Sequence, residues 1–287
     1  MSATTTSTTS TTSTTSGTTG AARGSRHAHP FRDNLTMLRR NLLHARRYPS
    51  LTLNLLLTPV VLLLLFVYVF GGVMSAGITG GPADRADYVA YLVPGILLLT
   101  AAMTTLGTAV SVANDMTEGI IARFRTMAIS RTSVVTGHVI GSVIQTLTAL
   151  VLVLGIGLAI GFRPDATPVE WIAAAGLLAL FSLGLTWLMV GVGLVSPNAE
   201  GASNIAQPLV MLPFLSSAFV PVDAMPGWFG WFAEYQPFSP AIETLRGLLL
   251  GTGIGTTNAV LAVGWSLGLT VLGYLWSKAQ FNREPRR

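Results

Sequence analysis

The chain contains no cysteine, so disulfides and thiolate chemistry are excluded. Lysine is nearly missing too. The single one, Lys278, lies near the C-terminal end, and no GxxxxGK[ST] loop exists to cradle a phosphate. Charged residues make up 10% of the chain, against about 25% in soluble domains. The histidines His27, His29, His44 and His138 show no metal-ligand spacing, and neither GxSxG nor HExxH occurs. Acids are nearly absent from the interiors of the apolar runs, where ion-driven carriers usually need them. These gaps leave no expected catalytic residue, no cofactor-binding residue and no metal site.

What is present is apolar. Hydrophobic residues are 51% of the 287, and the mean hydropathy is +0.60. This composition describes an all-α integral membrane protein. A span needs about 20 mostly apolar residues. Six are expected: Leu51–Phe70, Tyr91–Ala113, Val135–Ile160, Trp171–Val195, Ala202–Val220 and Asn258–Trp276. Pro59 and Pro94 are expected to bend the first two. Pro208 and Pro213 break the fifth, which is tolerable where neighbours satisfy the freed carbonyls.

Residues 1–30 form a Ser/Thr-rich tail, 31–277 the permeating unit and 278–287 a basic tail. The first 22 residues hold almost nothing able to bury a core, so the tail is expected to be disordered. It lacks the apolar centre of a secretory signal, so the first span is expected to act as an uncleaved insertion signal. Phe31–Tyr48 sets Leu35, Leu38 and Leu42 on one stripe, with Arg39, Arg40, Arg46 and Arg47 around it. That pattern suits a helix lying on an anionic leaflet. A soluble basic helix or a nucleic-acid arm is the alternative.

With both termini in the cytoplasm, fourteen of the seventeen Lys and Arg lie inside, and only Arg85, Arg163 and Arg246 lie outside. The net charge of +5 then needs no nucleic acid. Asn114–Arg131 becomes a cytoplasmic insert. As a helix it groups Ile120, Phe124, Met127 and Ala128 on one face. Such a segment can lie at the membrane surface and present its charged side to a soluble partner, or it can be an ordinary polar loop. The outside stretch Pro221–Thr257 crowds Trp228, Phe229, Trp231, Phe232, Tyr235 and Phe238 into eleven residues. It is expected to dip into the membrane and return. Ser239-Pro240 reads as a helix cap and first turn, and Gly251 as a stop, for a helix over Pro240–Leu250. Gln145, Asn204 and Gln207 are polar within spans. They either line a pathway or bond to neighbouring helices.

Two stretches carry a resemblance. EGIIARFRTMAISR, leading into GHVIGSVIQ, resembles the segment after the second span of type-2 ATP-binding-cassette exporter permeases. Asn198–Leu250, with SSAFVP, the PGW turn and QPFSPAIETLRGLL, is similar to the daunorubicin-resistance branch of that family. The resemblance covers about Phe31 to Trp276. MAIS at 127–130 departs from it, because the family often has a proline before the Ser.

The resemblance implies a permease that pairs with a second copy, identical or closely paralogous, and with two ATPase subunits that supply ATP and Mg chemistry. It implies ATPase coupling through Asp115, Glu118, Arg123, Phe124, Arg125, Met127 and Arg131. It implies an external gate at Pro226, Trp228, Trp231, Glu243 and Arg246. The expected activity is export of an amphiphilic substrate, a drug, lipid or glycolipid, across the cell membrane. An ion-coupled secondary transporter, and a non-transport sensor or assembly subunit, are the alternatives.

Overall fold

The computed structural model describes residues 49–71, 85–118 and 131–282, and every regular element among them is helical. The N-terminal tail, the helix expected over Phe31–Tyr48, Arg123, Phe124, Arg125, Met127 and the last five residues lie outside the described residues.

Helix α1 is Pro49–Leu65 and runs into a π-helical turn, Phe66–Phe70. Helix α2 is Arg85–Thr117, α3 Arg131–Ala159 and α4 Pro168–Val195. Helix α5 is Ala199–Met211, tightening into a 3₁₀ turn at Leu212–Leu215. Two short helices follow, α6 at Gly227–Tyr235 and α7 at Phe238–Leu250, before α8 at Thr256–Asn282. Four stretches are long and apolar enough to cross a membrane: Arg85–Thr117, Thr136–Ala159, Pro168–Val195 and Thr256–Phe281. Leu57–Phe70 is a shorter apolar helix.

Helix α2 is the axis of the molecule. Its 33 residues reach about 50 Å at 1.5 Å each, well beyond a hydrocarbon layer of about 30 Å. Tyr88, Leu92, Ile96 and Leu99 are fully buried, packed with Phe181 and Leu185 of α4 and Phe238, Ile242 and Leu245 of α7. Pro94 sits inside an unbroken helix, as does Pro59 in α1. Next to Pro94, Gly95 has no room for a side chain. A Cβ there would stand 2.7 Å from the Cα and Cβ of Ala218. The absent side chain lets the chain beyond α5 press directly on α2.

Local sequence sets the ends. Thr167 and Glu170 form a reciprocal capping box at the start of α4, with Thr167 N–H donating to Glu170 Oε2 at 2.7 Å. Asn198 Oδ1 accepts from Gly201 N–H at the start of α5. Gly251 closes α7 with φ of 65°, in the left-handed region that glycine occupies without strain.

The start of α7 differs from the sequence expectation. The N-cap is Pro237, not Ser239, and the helix begins at Phe238. Ser239 lies inside the first turn, where its Oγ accepts the Ser217 N–H at 3.0 Å. A tertiary demand from the broken end of α5 has taken the hydroxyl from its capping role. Pro240 is tolerated because first-turn N–H groups have no helical partner to lose.

Candidate functional site

The proline break after α5 leaves backbone carbonyls without helical partners, and the site forms around them. Gln236, at the end of α6, donates from Nε2 to Leu212 O at 3.1 Å and to Leu215 O at 3.0 Å. Ser216 Oγ donates to Pro213 O at 2.5 Å and accepts from Ala218 N–H at 3.2 Å. The broken segment is therefore held by side chains from α6 and from its own turn.

Arg246 is the centre of this region. It comes from α7, one turn after Glu243, and its side chain is 12% exposed. Nη1 donates to Glu243 Oε1 at 2.6 Å, and Nη2 to Tyr91 O at 3.1 Å and Ser217 O at 3.2 Å. The guanidinium lies 3.8 Å from the centroid of the Tyr91 ring. Tyr91 Oη also donates to Ser217 O, at 2.9 Å. One cation thus ties α2, the broken end of α5 and α7 together. A planar fork can hold a carboxylate and two carbonyls while stacking on a ring; an ammonium cannot. Arg246 Nε, Ser217 Oγ and Gln236 Oε1 are buried without a protein partner, so the polar contact here is not fully closed.

Of the residues expected to form a gate, the fold brings Glu243 and Arg246 together. Pro226 is the N-cap of α6. Trp228 and Trp231 stand out from α6, 80% and 68% exposed. Trp228 leans edge-on against Phe229, and Trp231 lies tilted against Tyr235. Phe238 belongs to a different environment from its aromatic neighbours. It is fully buried and meets Phe181 edge-on at 5.1 Å. Gln145 lies on an exposed part of α3, while Asn204 and Gln207 share an exposed face of α5 with Glu200.

At the opposite end of α2, Asp115 and Glu118 flank its last turn. Glu118 is exposed and its N–H donates to Asn114 O at 2.9 Å. Asp115 Oδ2 pairs with His138 Nε2 of α3 at 2.8 Å. Arg131 is the first residue of α3. Tyr91, Ser217, Gln236 and His138 were not singled out as site residues from the sequence. SSAFVP did mark the Ser217 neighbourhood, but nothing local announced Tyr91 or Gln236 as partners of the break.

The sequence profile of ABC-2 type transporters matches residues 32–250. The chain belongs to the ABC-2 type transporter family. This ABC-2 permease is 29% identical over 236 residues to a daunorubicin resistance ABC transporter permease protein of Streptomyces coeruleorubidus, covering 81% of each chain. It is 23% identical over 183 residues to a probable doxorubicin resistance ABC transporter permease protein of Mycobacterium tuberculosis, covering 63% of this chain and 66% of that one. It is 26% identical over 233 residues to a putative transport permease of Porphyra purpurea, covering 80% and 78%. The matched region takes in α1 to α7, and so contains both the Arg246 cluster and the Asp115–His138 end of the ABC-2 permease.

Proposed function

We propose that this chain is the permease subunit of an ATP-driven exporter that moves an amphiphilic substrate outward across the cell membrane. The observation that carries the reading is the family match over residues 32–250. The names of the relatives, which speak of daunorubicin and doxorubicin resistance, favour an amphiphilic aromatic substrate over a polymer. The chain has no P-loop lysine, so a partner ATPase hydrolyses the nucleotide with its own Mg.

The working unit in this reading is two permease copies and two ATPase subunits. Six spans place both termini in the cytoplasm, as the Lys and Arg distribution favours. The Arg246 cluster then lies at the outer end and the Asp115–His138 end at the cytoplasm. Residues 119–130, with Arg123, Phe124, Arg125 and Met127, dock in the ATPase and transmit its closure to the spans. Asp115, Glu118 and Arg131 flank that docking element. Pro226, Trp228, Trp231, Glu243 and Arg246 keep the outer end shut between cycles, and Gln145, Asn204 and Gln207 offer polar contacts to substrate.

The test is reconstitution with the candidate ATPase in liposomes. Phe124 buried in a partner cleft supplies about 1.5–3 kcal/mol; a single exposed ion pair supplies about 0–1. Phe124→Ala is expected to lower ATPase copurification and drug-stimulated hydrolysis, with insertion intact and Glu118→Gln milder. Wild-type export by both variants, alone and combined, would remove the docking role.

A further inference from the structure

Helices α2 and α3 bracket residues 119–130, and their side chains meet along a polar seam. The hydroxyls of Thr104 and Thr146 are 3.1 Å apart, and Thr108 Oγ1 donates to Ser142 Oγ at 2.7 Å. The step is four residues forward on α2 and four back on α3, one turn in opposite directions, as an antiparallel pair in register requires. At the end of the seam His138 Nε2 meets Asp115 Oδ2 at 2.8 Å. His138 is 28% exposed and Asp115 21%, so this pair is partly shielded from water. Thr104, Thr108 and Thr146 are buried.

The seam occupies the half of α2 nearer residues 119–130. From Thr104 to Asp115 it runs about 16 Å along the axis. Farther along, where α3 approaches the start of α2, the contact is apolar. A Cβ on Gly157 would meet Val93 Cγ2 at 3.2 Å. Apolar surfaces slide at little cost in a lipid-like interior. Hydrogen bonds between helices add a cost to separation, because a freed group finds no water there, although Thr104 keeps its bond to Thr100 O. The two helices are thus fastened where a pull on residues 119–130 arrives.

We propose that Asp115 and His138, with the Thr108–Ser142 and Thr104–Thr146 pairs, are positioning residues that make α2 and α3 move as one rigid hairpin when the ATPase pulls on residues 119–130. The inference rests on the docking role proposed for that segment. Without the fastening, a pull on the connection would splay the two helices apart and spend the stroke locally. With it, the pull tilts the pair, and α2 carries the motion to Tyr91 and the Arg246 cluster at its other end.

The test uses the full chain with its ATPase, in its natural cysteine-free background. Thr108→Cys with Ser142→Cys places two thiols where hydroxyls now touch, close to the separation a disulfide needs. Oxidation is expected to link them and to leave ATP-driven daunorubicin export at half or more of the reduced rate. Export that falls below half and returns with reductant would show that the helices must separate, and would overturn the proposal. Failure of the disulfide to form would overturn it as well.

A second variant separates positioning from mere stability. His138→Ala is expected to leave the copurifying ATPase unchanged and to lower substrate exported per ATP hydrolysed three-fold or more. The exchange of His138→Asp with Asp115→His is expected to restore that ratio. A ratio unchanged in His138→Ala would overturn the role of the pair. Absence of ATP-driven export by the unaltered chain would instead defeat the exporter reading and this inference together.

Discussion

The Arg246 guanidinium lies 3.8 Å from the centroid of the Tyr91 ring and donates to the same residue's carbonyl oxygen at 3.1 Å. Stacking and hydrogen bonding by one cation on one residue fix α7 against α2. Arg246 had stood out in the sequence as one of three basic residues on the minority side of the membrane. In the fold it is a mostly buried tie and not a loop charge.

The first prediction follows from that contact. Arg246→Ala removes a donor from two carbonyls and a carboxylate at once, although Ser217 O keeps the Tyr91 hydroxyl. Hydrogen bonds to a charged group are worth about 1.5–3 kcal/mol each, and the partly exposed Glu243 recovers some of its loss from water. A net cost of about 2–3 kcal/mol is expected, read as a lower thermal unfolding midpoint of the purified permease. Arg246→Lys keeps the charge but loses the fork and should fall between. An alanine variant with the wild-type midpoint would mean that the cluster stabilises nothing.

Gly95 gives the second prediction. A Cβ there would collide with Ala218 backbone, which cannot rotate away as a flexible side chain could. Gly95→Val is expected to force the broken end of α5 off α2 and to cut the yield of monodisperse protein several-fold. Gly107, with open space around its Cβ position, is the control. Gly107→Ala should express as wild type. Equal yields from Gly95→Val and Gly107→Ala would show that the close approach is not needed.

Much of this arrangement was legible before any coordinates. Apolar runs located the four long helices, because a span must satisfy its backbone internally. But α2 and α8 run up to six residues past the expected ends, and the expected fifth span is a 13-residue helix with a 3₁₀ turn. Gly251 ended its helix as expected. The failures share a cause. Ser239 was read as a cap from its neighbours in sequence, but its Oγ accepts from Ser217, twenty-two residues away. Phe238 was grouped with the interfacial aromatics by proximity, yet it turns into the core against Phe181. His138 was judged by metal spacing, and its actual partner is one carboxylate on another helix. Local pattern reports local forces, and these three residues answer to long-range ones.

The third prediction addresses topology. Ala86 and Ala224 are exposed, as is Glu200. In the six-span arrangement Ala86→Cys and Ala224→Cys react with a membrane-impermeant thiol reagent applied to intact cells. Glu200→Cys reacts only after the membrane is opened. Ala233 looks like a convenient probe by position, but it is fully buried on the inner side of α6 and would stay silent whichever side it occupied. Labelling of Glu200→Cys from outside would rule out the arrangement.

The last prediction concerns Trp228 and Trp231. They lie three residues apart on α6, so both project from one side of a helix only nine residues long. They are among the most exposed large apolar side chains of the described chain, at 80% and 68%. Neither supports the core, which is instead reached by Gly230 and Ala233 on the opposite side of α6. Their loss should therefore cost little stability, and two Ser replacements should leave yield and unfolding midpoint near wild type. Large amphipathic rings at this position are suited to the boundary between lipid and water. If they hold α6 there, and α6 holds the broken end of α5 through Gln236, their removal loosens the outer closure without touching ATPase binding. The expected phenotype is a raised passive leak of daunorubicin from loaded vesicles, two-fold or more, with ATP hydrolysis retained and less export per ATP. Leak and export per ATP at wild-type levels in the double variant would reduce the two rings to ordinary lipid-facing surface.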